Sequence, residues 1–127
     1  MRRYVIIGVG AIGGTIGGRL AQHGIPVVWV ARGDHGAALS ARGMRLLTPE
    51  GEVRAAAPVV SGPDDLAISP DDVFVLATKT QDAEAALATW ADVPVIDAGR
   101  QLGRAGDLLP VLTALNGVAG EEIALRY

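Results

Sequence analysis

Residues 8–14 read GVGAIGG, between an apolar run at 3–8 and a stretch of helical character that ends near His23. Gly8, Gly10 and Gly13 give the spacing G-x-G-x-x-G with a strand before it and a helix after it, the context in which the pattern carries meaning. A dinucleotide's pyrophosphate is held by backbone N–H groups at a helix N-terminus, so the turn must bring bare main chain up to the anion. Gly8 then permits the tight turn, Gly10 lets backbone approach phosphate, and Gly13 removes a side chain where helix meets strand. Val9, Ala11 and Ile12 complete this candidate cradle. Gly17, one turn on, repeats the opening, and Ile12, Ile16 and Leu20 are expected to face the sheet. Gly13, Gly14, Gly17 and Gly18 each forgo roughly 1 kcal/mol of helix propensity against alanine, so packing or a ligand must offset them. The alternative is a glycine-rich turn of an α/β protein that binds no nucleotide.

The remaining composition narrows the classes. At 127 residues the chain is expected to be one domain, 1–127, of a size at which a parallel α/β sheet can bury a core. Half the residues are hydrophobic and only 4% aromatic, which suits small-residue packing of helices on strands rather than a base-stacking surface. The net charge is −3, and Lys and Arg do not cluster, so neither nucleic acid nor an acidic membrane is an expected partner. With no cysteine there is no disulfide framework, thiolate nucleophile or sulfur-ligated metal site, and no metal is expected. No cleavage pattern follows the apolar start and no run reaches spanning length, so the expected location is the cytoplasm.

Taken in order, the rest repeats a strand-then-helix plan. The first helix is expected over 11–23, with Gly24 as its cap and Pro26 beyond it; His23 suits the negative end of that helix's dipole. The second strand, 27–31, ends in Ala31, Arg32 and Gly33. An acid at this point would bond the ribose hydroxyls of NAD. Arg32 instead offers a planar pair of donors to a 2′-phosphate, so NADP is the expected cofactor; a solvated loop arginine is the alternative. Asp34 is expected to cap a helix over 35–42 ended by Gly43, with His35 in its first turn and no special role.

Residues 44–47 and 53–59 flank the turn TPEG, which predicts a short antiparallel hairpin that extends or covers the sheet edge. Residues 61–72, with Pro63 and Pro70, read as a surface connection with one helical turn. The run VFVLA at 73–77 precedes TKTQDAEAALATW, a polar turn and an alanine-rich helix, and so brings Thr78, Lys79, Thr80 and Gln81 to the sheet's carboxyl edge, where ligands bind in doubly wound folds. Lys79 is the sole lysine. It is a candidate site residue, with a solvated turn lysine or a partner for Asp82 as the alternative. Between 91 and 107, VPVID and a following loop compete with 111–115 for the next core strand. The later run is favoured, and the earlier becomes an insertion or an edge strand. Asn116 and Gly117 then end that strand, and a helix from 118 carries Glu121 and Glu122. The expected fold is α/β, a Rossmann-like doubly wound, mostly parallel sheet with a short antiparallel hairpin insertion.

GVGAIGG, VARG at 30–33, ATKTQDAEAAL at 77–87 and LNGVAGEE at 115–122, in that order and spacing, resemble the N-terminal domain of the ketopantoate reductase (2-dehydropantoate 2-reductase) family. The resemblance implies NADPH-dependent reduction of a 2-keto acid to a 2-hydroxy acid, ketopantoate to pantoate, on the route to pantothenate. By motif, residues 8–13 would hold the pyrophosphate and Arg32 the 2′-phosphate. Lys79 would lie near the reacting centre, and Asn116 would reach the nicotinamide ribose and the substrate. In the family a proton-donating lysine and a substrate-holding acid belong to a helical C-terminal domain. This chain is accordingly expected to be the cofactor-binding half, truncated or supplied with its second domain by a separate C-terminal chain, with a homo-oligomer as a further expected assembly. Glutamine commonly precedes the asparagine-glycine pair in the family, where this chain has Leu115. A stand-alone NADP-binding module that senses or scaffolds without turnover is the alternative function.

Overall fold

A computed structural model describes residues 2–49 and 51–113. Five strands form one parallel sheet: β1 (Arg3–Ile7), β2 (Val27–Val30), β5 (Val59–Val60), β6 (Asp72–Leu76) and β9 (Val111–Thr113). Their spatial order is β5-β2-β1-β6-β9, that is, third, second, first, fourth, fifth among the sheet's own strands. The order reverses between β1 and β6, which is the topological switch point of a doubly wound fold. The helices are α1 (Ala11–Gln22), α2 (Gly33–Arg42), α3 (Thr80–Ala91) and the short α4 (Ala105–Leu108).

The central strands are apolar on both faces because both are covered. Val5 and Ile7 of β1, with Phe74 and Leu76 of β6, pack against Ala83, Leu87 and Trp90 of α3. Phe74 and Trp90 meet edge to face, centroids 5.6 Å apart. Ile6 and Val75 point the other way, with Trp29, toward Leu39 of α2 and the partly buried Ile16 and Leu20 of α1. The period of two along each strand thus divides one sheet between two cores. At the amino end, the first residues of β1 and β6 are joined by a charge pair. Arg3 Nε donates to Asp72 Oδ1 at 2.7 Å and Nη2 to Oδ2 at 2.6 Å, and the fully buried carboxylate also accepts the Ser69 N–H at 2.8 Å. Chiefly through the side-chain hydrogen bonding between them, and further through its charge, Asp72 holds the Arg3 guanidinium pKa above its ordinary value against desolvation.

Two antiparallel hairpins stand outside this sheet. The first, β3 (Met44–Thr48) with β4 (Gly51–Ala55), forms where a hairpin is expected but does not extend or cover the sheet edge. It lies across α1, so that α1 is held between two sheets. Its second strand is also shorter than the 53–59 expected. Pro58 has no N–H to give the ladder, while its carbonyl accepts the Trp29 N–H at 2.9 Å. The chain therefore leaves the hairpin and adds Val59–Val60 to the edge of the main sheet. The second hairpin, β7 (Pro94–Asp97) with β8 (Arg100–Arg104), settles the competition at 91–115: the earlier run is an insertion, and the later one, as β9, joins the core sheet.

Other boundaries shift by a residue or two. The helix α2 starts at Gly33, not after Asp34, because the Arg32 carbonyl accepts the Gly36 N–H at 3.2 Å and closes the first turn there. Arg32 is thus the N-cap, and Asp34 lies inside the first turn, where its charge suits the helix dipole. The 61–72 connection has its helical turn, Pro63–Asp65, but is not all surface. Ile68 is fully buried and bridges to Val95. Asn116, Leu115 and the expected helix from 118 lie outside the described residues.

Candidate functional site

The carboxyl ends of β1, β2 and β6 deliver three turns to one edge of the sheet, and each turn opens a helix of ten residues or more. Between them lies a cleft of about 600 Å³. Gly8, Val9 and Gly10 form its floor, Arg32 and His35 one wall, and Thr78 with the face of α3 through Trp90 the other.

The glycine turn is shaped by what stands next to each missing side chain. Gly8 has φ +95°, and a Cβ there would lie 2.8 Å from the Thr78 N, so the first turn rests on the third. Gly13 abuts the Gly8 carbonyl oxygen, into which a Cβ would run directly. Gly10, the N-cap of α1, is different: a Cβ there would meet nothing within 4 Å. The space over its bare Cα is open. The Gly14 N–H closes the first helical turn onto the Gly10 carbonyl at 2.7 Å. The amides ahead of it, from Ala11 to Gly13, are those for which an α-helix provides no acceptor, and they stand at the positive end of its dipole.

Arg32 stands at the end of β2, exposed, and lines the cleft. Its Nε–H donates to the Ser61 carbonyl at 3.3 Å, and among the described residues its two Nη groups have no protein partner. The guanidinium is tethered by one edge, and the other edge is open to an anion. Lys79 is exposed, caps α3 through its backbone and forms no ion pair among the described residues. It neighbours the cleft without lining it, and the cleft wall is formed by Thr78 beside it. Among the described residues, Asp82 is the one carboxylate lining the cleft, in the first turn of α3.

Two features go beyond the sequence expectations. The Thr78 Oγ1 is buried without a hydrogen-bond partner among the described residues, a condition that costs a polar group about 1–3 kcal/mol until a ligand or water meets it. His35, expected to have no special role, reaches from α2 to the glycine turn, its Nε2 2.8 Å from the Val9 carbonyl oxygen. Its place three residues after Arg32 was visible in the sequence, but the 26-residue span of that bond was not. Among the described residues, no three His, Cys, Asp or Glu side chains come together as a metal site, and no helix is long and apolar enough to cross a membrane.

Comparison with known proteins agrees with this geometry. The family model Ketopantoate reductase PanE/ApbA matches residues 4–127. A 2-dehydropantoate 2-reductase from Caulobacter vibrioides is 38% identical over 95 residues, 75% of this chain and 30% of that protein. The PanE/ApbA family ketopantoate reductase from Ralstonia eutropha JMP134 superposes with a TM-score of 0.77 at 25% identity, over 99% of this chain and 38% of its own. A protein from Ralstonia solanacearum MolK2 assigned as a ketopantoate reductase gives 0.73 at 30% identity, over 93% of this chain and 33% of its own. The chain spans about a third of the length of the relatives it matches.

Proposed function

The chain belongs to the ketopantoate reductase family, and from that premise we propose that it supplies the dinucleotide site of an NADPH-dependent 2-keto acid reductase of the ketopantoate-to-pantoate type. The bound nicotinamide would give a hydride to the keto carbon, and a proton would go to the carbonyl oxygen. The protein's part is orientation and charge placement. The open space over Gly10, at the mouth of α1 and opposite a half-free guanidinium, is the observation that carries this reading.

In it, the amides of residues 10–13 hold the pyrophosphate, and the Thr78 hydroxyl gains the partner it otherwise lacks. Arg32 bonds the 2′-phosphate through its Nη edge, while the Ser61 carbonyl keeps the side chain in place. No carboxylate follows β2 at Ala31 or Arg32 to repel that phosphate. Lys79, beside Thr78, is assigned to the nicotinamide side, where a cation stabilises charge developing on the substrate oxygen. Asn116 is assigned to the nicotinamide ribose and substrate. The proton donor and the substrate-holding acid belong to a helical domain that works with this one, as a further part of the protein or as a second chain.

A charge-assisted bond from Arg32 to a 2′-phosphate contributes about 1.5–3 kcal/mol, or roughly one to two decades of preference for NADPH over NADH. Calorimetric titration is expected to show that preference in the parent protein and its near-disappearance in Arg32→Ala. Equal affinity for the two nucleotides in the parent would overturn the assignment of NADP.

A further inference from the structure

We infer that His35 is a positioning residue of the dinucleotide site, fixing the Val9–Gly10 peptide and covering its carbonyl oxygen where phosphate oxygens must pass. The inference rests on the nucleotide reading above and concerns one residue within it.

Val9 and His35 both line the cleft, and the ring Nε2 stands 2.8 Å from the Val9 oxygen. A carbonyl oxygen only accepts, so the Nε2 carries the proton. Across a trans peptide the N–H points opposite to the C=O. Holding the Val9 oxygen toward α2 therefore fixes the direction of the Gly10 N–H as well. Among the described residues the tight approaches of this turn lie on either side of that peptide: Gly8 abuts Thr78 and Gly13 abuts Gly8, whereas a Cβ on Gly10 would meet nothing within 4 Å. The hydrogen bond to His35 spans 26 residues and joins the turn to the element that also carries Arg32.

The starting point of His35 is itself constrained. Gly36 packs so closely on the Ala31 carbonyl oxygen that a Cβ there would overlap it, which seats the first turn of α2 on the end of β2. Val9 is buried on the other side of the bond. With the bond absent, the peptide could turn and present its oxygen to the phosphates, or leave that oxygen bare beside them; either outcome repels a pyrophosphate and spares a ligand that lacks one.

That difference supplies the test. NADPH, NADH and adenosine 2′-phosphate, which has the 2′-phosphate but no pyrophosphate, are titrated into the parent protein, His35→Ala, His35→Gln and Arg32→Ala. His35→Ala is expected to weaken NADPH and NADH by a similar factor, about 3- to 10-fold for the loss of one such bond, and to leave adenosine 2′-phosphate unchanged. His35→Gln, whose amide can donate from a similar distance, is expected to recover most of the loss, which a packing role for the ring would not allow. Arg32→Ala is expected to give the complementary pattern, losing NADPH and adenosine 2′-phosphate and sparing NADH. If His35→Ala weakens NADPH and adenosine 2′-phosphate but not NADH, His35 reads the 2′-phosphate and the inference is overturned. Unchanged binding of all three ligands, or no recovery in His35→Gln, overturns it too. A parent protein that binds none of the three removes the nucleotide reading itself, a failure visible before any His35 variant is made.

Discussion

Gly10 and Gly13 are three residues apart, and their missing side chains serve different ends. At Gly13 the constraint is internal, because the main chain of Gly8 already occupies the position of a Cβ, and Ala77 Cβ lies 2.9 Å from it. Backbone cannot yield as the far end of a flexible side chain can. Gly13→Ala is therefore expected to destabilise the fold by about 3 kcal/mol or more, read as a fall in the midpoint of chemical unfolding; a variant as stable as the parent would mean that the turn is looser than its geometry implies. At Gly10 no atom of the described residues lies within 4 Å of where a Cβ would stand, so only a ligand would set a limit there. The spacing of the motif identified both glycines but could not distinguish these two reasons, since only the neighbours across the turn separate them. His35 shows the same limit: its bond partner is 26 residues away, and no local pattern announces it.

Within α1 the four glycines resolve into two rows. Gly13 and Gly17 face the main sheet, where a Cβ on Gly17 would come within 2.8 Å of Trp29 Nε1. Gly14 and Gly18 face the first hairpin, and a Cβ on Gly18 would lie 2.7 Å from Leu46 Cδ2 and 2.8 Å from Met44 Sδ. A helix between two sheets needs small residues on two sides, and this offsets the lost propensity. The rows are not equally tight. At Gly14 the nearest atom is 3.9 Å away, so Gly14→Ala is expected to stabilise the protein by about 0.5–1 kcal/mol, the helix propensity regained, as a rise in thermal midpoint. A clear fall would show that the hairpin sits closer to α1 than described. The sequence made the helix and both strands of the hairpin legible, and the close approach to the main sheet as well. It did not reveal that the hairpin crosses α1, because Met44 and Leu46 are equally suited to covering a sheet edge. The split at Pro58 was legible in principle, through a residue unable to donate to a ladder.

At the scale of the molecule, the order of the five strands does most to define the site. Parallel strands bring every strand-to-helix turn to the same edge, and the reversal between β1 and β6 separates α1 from α3 there, which opens the cleft. The βαβ rhythm made that architecture readable from the chain, and the family match over residues 4–127 accords with it. The opposite edge is closed by Arg3 and the buried Asp72, a pairing 69 residues apart that periodicity could not suggest. The cleft joins residues from all three turns, so a ligand bridging them must fail when its floor is raised. NADPH titration of the parent and Gly10→Ala, with unfolding of each followed in parallel, tests this most directly. The parent is expected to bind, and Gly10→Ala, an N-cap change, to lose no more than about 1 kcal/mol of stability yet to bind at least about tenfold more weakly, as expected where backbone must touch the pyrophosphate. Equal binding by the two proteins, or none by the parent, would contradict it.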